Sequence, residues 1–131
     1  MKPIVTSLRR IDVEGGDVLH ALKSQDKTFR GFGEAYFSLI GKGFIKPWRR
    51  HHHATLNLVV PSGAGRFITT AKGDIFEENI LSSQDIFVRL TIPPGLWLVF
   101  QGLQKEERLK RRDQLRRAIE SGRRTCAKFR C

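Results

Sequence analysis

Cysteine is nearly absent from this 131-residue chain: Cys126 and Cys131, both at the C-terminal end, are the only two. A disulfide framework spreads its cysteines through a fold, so this pair does not supply one. Nor does it make a structural zinc site, which needs four ligands where the pair offers two. Long hydrophobic runs are also missing. None approaches the ~20 apolar residues of a membrane-spanning helix. Residues 1–10 lack the apolar stretch and small-residue cleavage site of a secretory leader, which gives a cytoplasmic expectation. Before residue 104 there is no convincing helical period and no internal repeat. No glycine-rich loop opens a helix, so phosphate binding of the P-loop or dinucleotide-fold kind is not indicated. No nucleophile-elbow pattern is present either.

Acidic residues are scarce, but unevenly so. Residues 105–131 carry eleven Lys/Arg against four Asp/Glu, a net +7, while residues 1–104 carry thirteen against nine, a net +4. The basic character of the chain is therefore mainly that of its tail. A nucleic-acid partner is indicated only through that tail.

What the body does contain is short runs of apolar residues at period two. Residues 55–60 set Leu56, Leu58 and Val60 against Thr55, Asn57 and Val59. Residues 86–92 set Ile86, Val88, Leu90 and Ile92 against Phe87, Arg89 and Thr91. Such alternation predicts strands with one face in a core. Residues 66–70 read as the hairpin partner of 55–60, and residues 96–100 as a further strong strand. Shorter strands are predicted within 4–13, 18–22, 34–40 and 75–81. Pro47 predicts an edge or a bend near the end of the strand that begins at Phe44. Many short strands between Gly/Pro turns, such as Pro61-Ser62-Gly63 and Pro93-Pro94-Gly95, indicate an all-β sandwich or barrel. Leu56, Leu58, Val88 and Leu90 are the predicted core.

The densest chemistry lies just before residue 55. Lys46, Arg49 and Arg50 precede three consecutive histidines, His51, His52 and His53. Arginine forks match phosphate oxygens, and imidazole is the side-chain group that ordinarily titrates near neutral pH. Alternation sends His51 and His53 to one face. In a small barrel one face of a strand lines a cavity, so this cluster is expected at the edge of a pocket suited to an anion. The competing reading is a merely solvated cationic run. His51-x-His53 also resembles the first motif of metal-binding cupins. However, Asn57 and Leu98 stand where further ligands belong, and Arg49 and Arg50 repel a cation, so the site reads as metal-free. Trp48, Tyr36, Phe44 and Trp97 read first as core aromatics.

The runs 17–20, 33–38, 43–51, 55–61 and 89–103 resemble dTDP-4-dehydrorhamnose 3,5-epimerase-related cupins. Trp48-Arg49-Arg50-His51 and Pro93-Pro94-Gly95-Leu96-Trp97 are the most specific parts, and the resemblance covers residues 4–104. It implies a cupin-type jelly-roll barrel (a double-stranded β-helix), commonly a homodimer, acting in bacterial surface-polysaccharide synthesis. It implies a dTDP-4-keto-6-deoxyhexose ligand and cofactor-free proton abstraction next to a ketone. The base position of true epimerases reads Arg49 here, whereas His51 matches the second histidine of the His-x-His of 3,4-ketoisomerases. His51 is therefore the candidate catalytic base. Lys46, Trp48, Arg49, Arg50, His53 and Asn57 are the candidate substrate-binding residues. Because arginine is a poor base, a non-catalytic sugar-nucleotide binder is the alternative function.

The chain divides into a jelly-roll domain, 1–104, and a basic tail, 105–131, expected to be helical or disordered and to add no strand. The tail departs from the family pattern, which has another buried strand there. A shifted reading frame near Glu107 or a tail that binds nucleic acid each accounts for the departure.

Overall fold

The computed structural model describes residues 1–103 and the backbone of 127–130. The strands are β1 (Ile4–Ser7), β2 (Arg10–Ile11), β3 (Val18–Leu19), β4 (Glu34–Phe37), β5 (Ile45–Arg50), β6 (Leu56–Val59), β7 (Ala64–Thr70), β8 (Phe76–Ser82), β9 (Val88–Ile92), β10 (Trp97–Leu103) and β11 (Ala127–Arg130). Among the described residues there is no helix, hence none long and apolar enough to cross a membrane. One sheet has the order β1-β9-β6-β11-β4 and the other β5-β10-β7-β8, with β2 and β3 forming a separate ribbon. All pairings are antiparallel.

The period-two runs explain how the sheets stack. Leu56, Leu58, Leu90 and Ile92 of one sheet meet Phe67, Leu81, Leu98 and Phe100 of the other in a single buried cluster. Phe67 and Phe100 stack across neighbouring strands with ring centroids 5.5 Å apart. Of the predicted core, Leu56, Leu58 and Leu90 are fully buried, and Val88 packs against the cluster partly exposed.

Pro47 lies in β5, an edge strand whose register against β10 slips between Leu98 and Phe100. The bulge accommodates the residue that cannot donate to the ladder. One pairing differs from expectation. β7 is the hairpin partner of β8 and also pairs with β10, while β6 pairs with β9 and β11. The turn after Pro61 thus carries the chain from one layer to the other. Leu56 and Leu58 then face Phe67 across the core rather than lying beside it.

The expectation that the tail adds no strand is also corrected. β11 lies between β6 and β4, with Ala127 in register with Val59 and Phe37, and Arg130 with Leu56 and Glu34. The rest of the tail, including any helix in it, lies outside the described residues.

Gly102, near the end of β10, is a close-approach position. A Cβ there would sit 2.8 Å from the Gly41 carbonyl oxygen and 2.8 Å from Ile40 Cγ2. The backbone cannot retreat freely, because Gly102 N–H donates to Phe44 O (3.2 Å) and its carbonyl accepts from Gly43 N–H (3.0 Å). Gly102→Ala is expected to destabilise by about 1–3 kcal/mol, the cost of overpacking. The check is a lower urea midpoint at unchanged m-value; an unchanged midpoint refutes the close packing.

Candidate functional site

Two segments far apart in sequence meet at one end of the barrel. β5 ends at Arg50 and the chain turns through the three histidines into β6. The Pro93-Pro94-Gly95 turn stands beside it. Gly95 has φ +89°, a conformation open to glycine at little cost, and its N–H donates to the carbonyl of His51 at 2.7 Å. The turn therefore fixes the backbone of His51. Beyond it, Trp97 pairs with Arg50 and Leu98 with Arg49.

Directly opposed residues in a sheet share a face. Arg49 thus lies on the same side as Leu98, toward the barrel interior, and Arg50 lies on the outer side with Trp97. The Arg50 guanidinium sits 4.8 Å from the centroid of the Trp97 ring, a cation–π contact that orders its stem.

Arg49 and His51 line a narrow recess whose walls include Leu56, Ile92, Leu98 and Phe100. Its volume of about 10 Å³ holds scarcely one water. Above it opens a wide mouth of about 670 Å³ lined by Gly33, Glu34, Arg50, His51, His52 and His53. His51 belongs to both, half-buried with Nε2 shielded from solvent. A ligand seated in the mouth thus meets Arg50, Glu34 and two imidazoles at the rim, and the His51 imidazole at the floor with Arg49 behind it. A second cavity, about 560 Å³, opens at the opposite end of the barrel beside Leu103; among the described residues Lys42 is the one cation in its lining.

Of the candidate residues, His51, His53, Arg49 and Arg50 converge here. Three others do not. Lys46 lies toward the other end of β5, where its Nζ donates to Ser38 Oγ at 2.7 Å. Trp48 lies on the outer face of its sheet, against Ile45, Ile68 and Val99, with its ring centroid 6.0 Å from that of Phe76. Asn57 is fully buried, accepting from Thr91 Oγ1 at 2.7 Å and donating to the Thr28 carbonyl at 3.2 Å. Alternation excludes it from the face of Leu56 and Leu58, so it is a structural anchor on the back of its sheet rather than a pocket residue. Glu34 was not among the candidates. Its signal was a carboxylate opening an aromatic strand directly after Gly33. Among the described residues no group of three or more His, Cys, Asp or Glu side chains is arranged to hold a metal ion.

No family model matches the sequence, nor does any curated protein. Solved structures do match. A dTDP sugar isomerase from Desulfovibrio desulfuricans G20 is 26% identical with a TM-score of 0.75, over 98% of this chain and 74% of that one. A dTDP-4-dehydrorhamnose 3,5-epimerase from Sulfolobus tokodaii gives 17% identity and a TM-score of 0.72, over 98% and 69%. A TDP-quinovose 3,4-ketoisomerase from Campylobacter jejuni gives 16% and 0.68, over 98% and 83%. The chain thus has the cupin-type jelly-roll fold expected from its sequence, and its structural neighbours are dTDP-sugar ketoisomerases and epimerases.

Proposed function

We propose that the protein binds a dTDP-linked 4-keto-6-deoxyhexose in the histidine-rich mouth and isomerises or epimerises it, in the synthesis of a bacterial surface polysaccharide. The observation that carries this reading is the position of His51, shared by the histidine-rich mouth and the shielded recess, in a chain whose structural neighbours include a dTDP sugar isomerase. His51 removes the proton next to the ketone, and the resulting enolate is reprotonated at a different position or face. Arg49 and Arg50 supply charge for the phosphates, and His53 lines the rim. A homodimer is part of the same reading. Half-exposed Ile4 and Val5 on edge strand β1 offer apolar surface for it.

Calorimetry with dTDP tests the binding. A charge-assisted contact contributes about 1.5–3 kcal/mol when shielded. Both arginines are exposed, which places each loss near the lower end, about tenfold. An Arg49→Ala/Arg50→Ala double variant is expected to bind dTDP about 100-fold more weakly. Equal affinity in wild type and variant overturns the assignment of the mouth. Binding without any solvent-proton exchange into the sugar makes the protein a non-catalytic binder, the function that Arg49 at the epimerase base position favours.

A further inference from the structure

Among the described residues, the largest fully buried side chain is not between the sheets. It is Arg89, 2% exposed, on the back of the five-stranded sheet in β9. Its Nη1 donates to the Ala21 carbonyl at 2.7 Å and to Asp26 Oδ2 at 3.0 Å, and its Nη2 donates to Thr28 Oγ1 at 3.0 Å. Asn57, on the neighbouring strand, adds its bond to the Thr28 carbonyl and is itself held by Thr91. Every acceptor on the far side of this network belongs to residues 21–28, a strap without strand structure between β3 and β4.

The strap leads directly to the mouth. Gly33 follows Thr28 by five residues, a reach of at most ~18 Å, and Gly33 and Glu34 both line the opening. Residues 29–33 have no sheet ladder of their own. The arginine network ties their near end to the sheet, and at their far end Glu34 opens β4 and pairs with Arg130 of β11.

We propose that Arg89 and Asp26 are positioning residues: by fastening residues 21–28 to the back of the sheet they hold Gly33 and Glu34 at the mouth and set its affinity for a nucleotide sugar. The inference takes its ligand from the reading above, but its geometry is independent of that reading. The Asp26 carboxyl is well suited to the task. The Lys23 N–H, donating to it at 2.8 Å, holds it below the ordinary carboxylate range, the Arg89 charge adds to this, and partial burial opposes both. The carboxylate therefore remains charged opposite the guanidinium at neutral pH. A buried guanidinium kept merely for stability is weakly motivated, since apolar replacement of buried ion pairs is often neutral or stabilising.

Two variants leave the core between the sheets intact. Asp26→Asn keeps the side chain's shape and removes its charge, and Thr28→Val removes the acceptor for Nη2. Amide exchange reads the strap and the mouth in the unliganded protein, and calorimetry with dTDP reads the affinity. In both variants exchange at Phe29 and Glu34 is expected to accelerate at least tenfold, that at Leu58 and Leu90 to change less than twofold, and dTDP affinity to fall five- to tenfold. Unaltered exchange at Phe29 and Glu34 overturns the inference. So does equal acceleration at Leu58 and Leu90, which marks a general loss of stability, and so does a loosened strap with unaltered dTDP affinity. If wild type binds no dTDP, the proposed ligand is wrong, and exchange at Glu34 still decides whether the network holds the mouth.

Discussion

In the His51→Asn variant, incorporation of solvent deuterium into a dTDP-4-keto-6-deoxyhexose is expected to fall by about 10²–10⁴-fold, the contribution of a positioned general base. Asparagine retains a similar shape and a polar tip but cannot accept a proton at neutral pH. The backbone anchor of this position, the bond from Gly95 N–H to the His51 carbonyl, does not involve the side chain. The variant should therefore fold normally, and the melting temperature provides the control. dTDP binding is expected to weaken far less than exchange, because the phosphate-directed charges of Arg49 and Arg50 remain. Undiminished exchange excludes His51 as the base. Arg49, which also lines the recess, is not a substitute, since a guanidinium stays protonated.

The sequence pointed to this end of the barrel through charge density, and charge density is a local signal. It singles out Arg49, Arg50, His51 and His53, which lie together at the recess and mouth because they are close in sequence. It failed for Asn57 because period two says that a residue faces away from Leu56 and Leu58 without saying what covers that other face. Here the cover is residues 21–28, some thirty positions earlier, and only the fold shows that they lie there. Trp48 and Lys46 fall outside for related reasons. The bulge in β5 and the alternation around it put Trp48 on the far side of the sheet from Arg49, while Lys46, opposite Phe100, lies one length of strand away, beside Ser38. Glu34 enters the mouth from a different strand altogether, so no spacing within the histidine segment could indicate it.

The strands themselves were legible wherever one face is core. β6, β7, β9 and β10 fall within or overlap the segments 55–60, 66–70, 86–92 and 96–100. Pairing partners were less legible. A turn at Pro61 looks the same in sequence whether it closes a hairpin or crosses between layers. β11 is the instructive miss. Its four residues, Ala127-Lys128-Phe129-Arg130, are too few to carry a pattern and sit in a segment of net charge +7. A strand with neighbours on both sides draws its stability from backbone pairing, which composition does not record.

That pairing makes removal of residues 104–131 the most damaging change expected in the fold. β4 has β11 as its neighbour in the sheet, and β6 has β11 on one side and β9 on the other. Without β11, backbone groups of β6 beside the buried Leu56 and Leu58 lose their partners. Each buried group left unsatisfied costs about 1–3 kcal/mol, and a few of them consume much of the ~5–15 kcal/mol that stabilises a domain. β4 would detach as well, taking Glu34 from the mouth. The truncated protein is expected to lose cooperative thermal unfolding or to melt at least ~10 °C lower. Amide exchange at Asn57 and Leu58 should become fast, and dTDP affinity should fall with the loss of β4. A truncated protein with the wild-type melting temperature and a protected β6 would show that β11 contributes nothing to the sheet. The jelly roll would then be complete at Leu103.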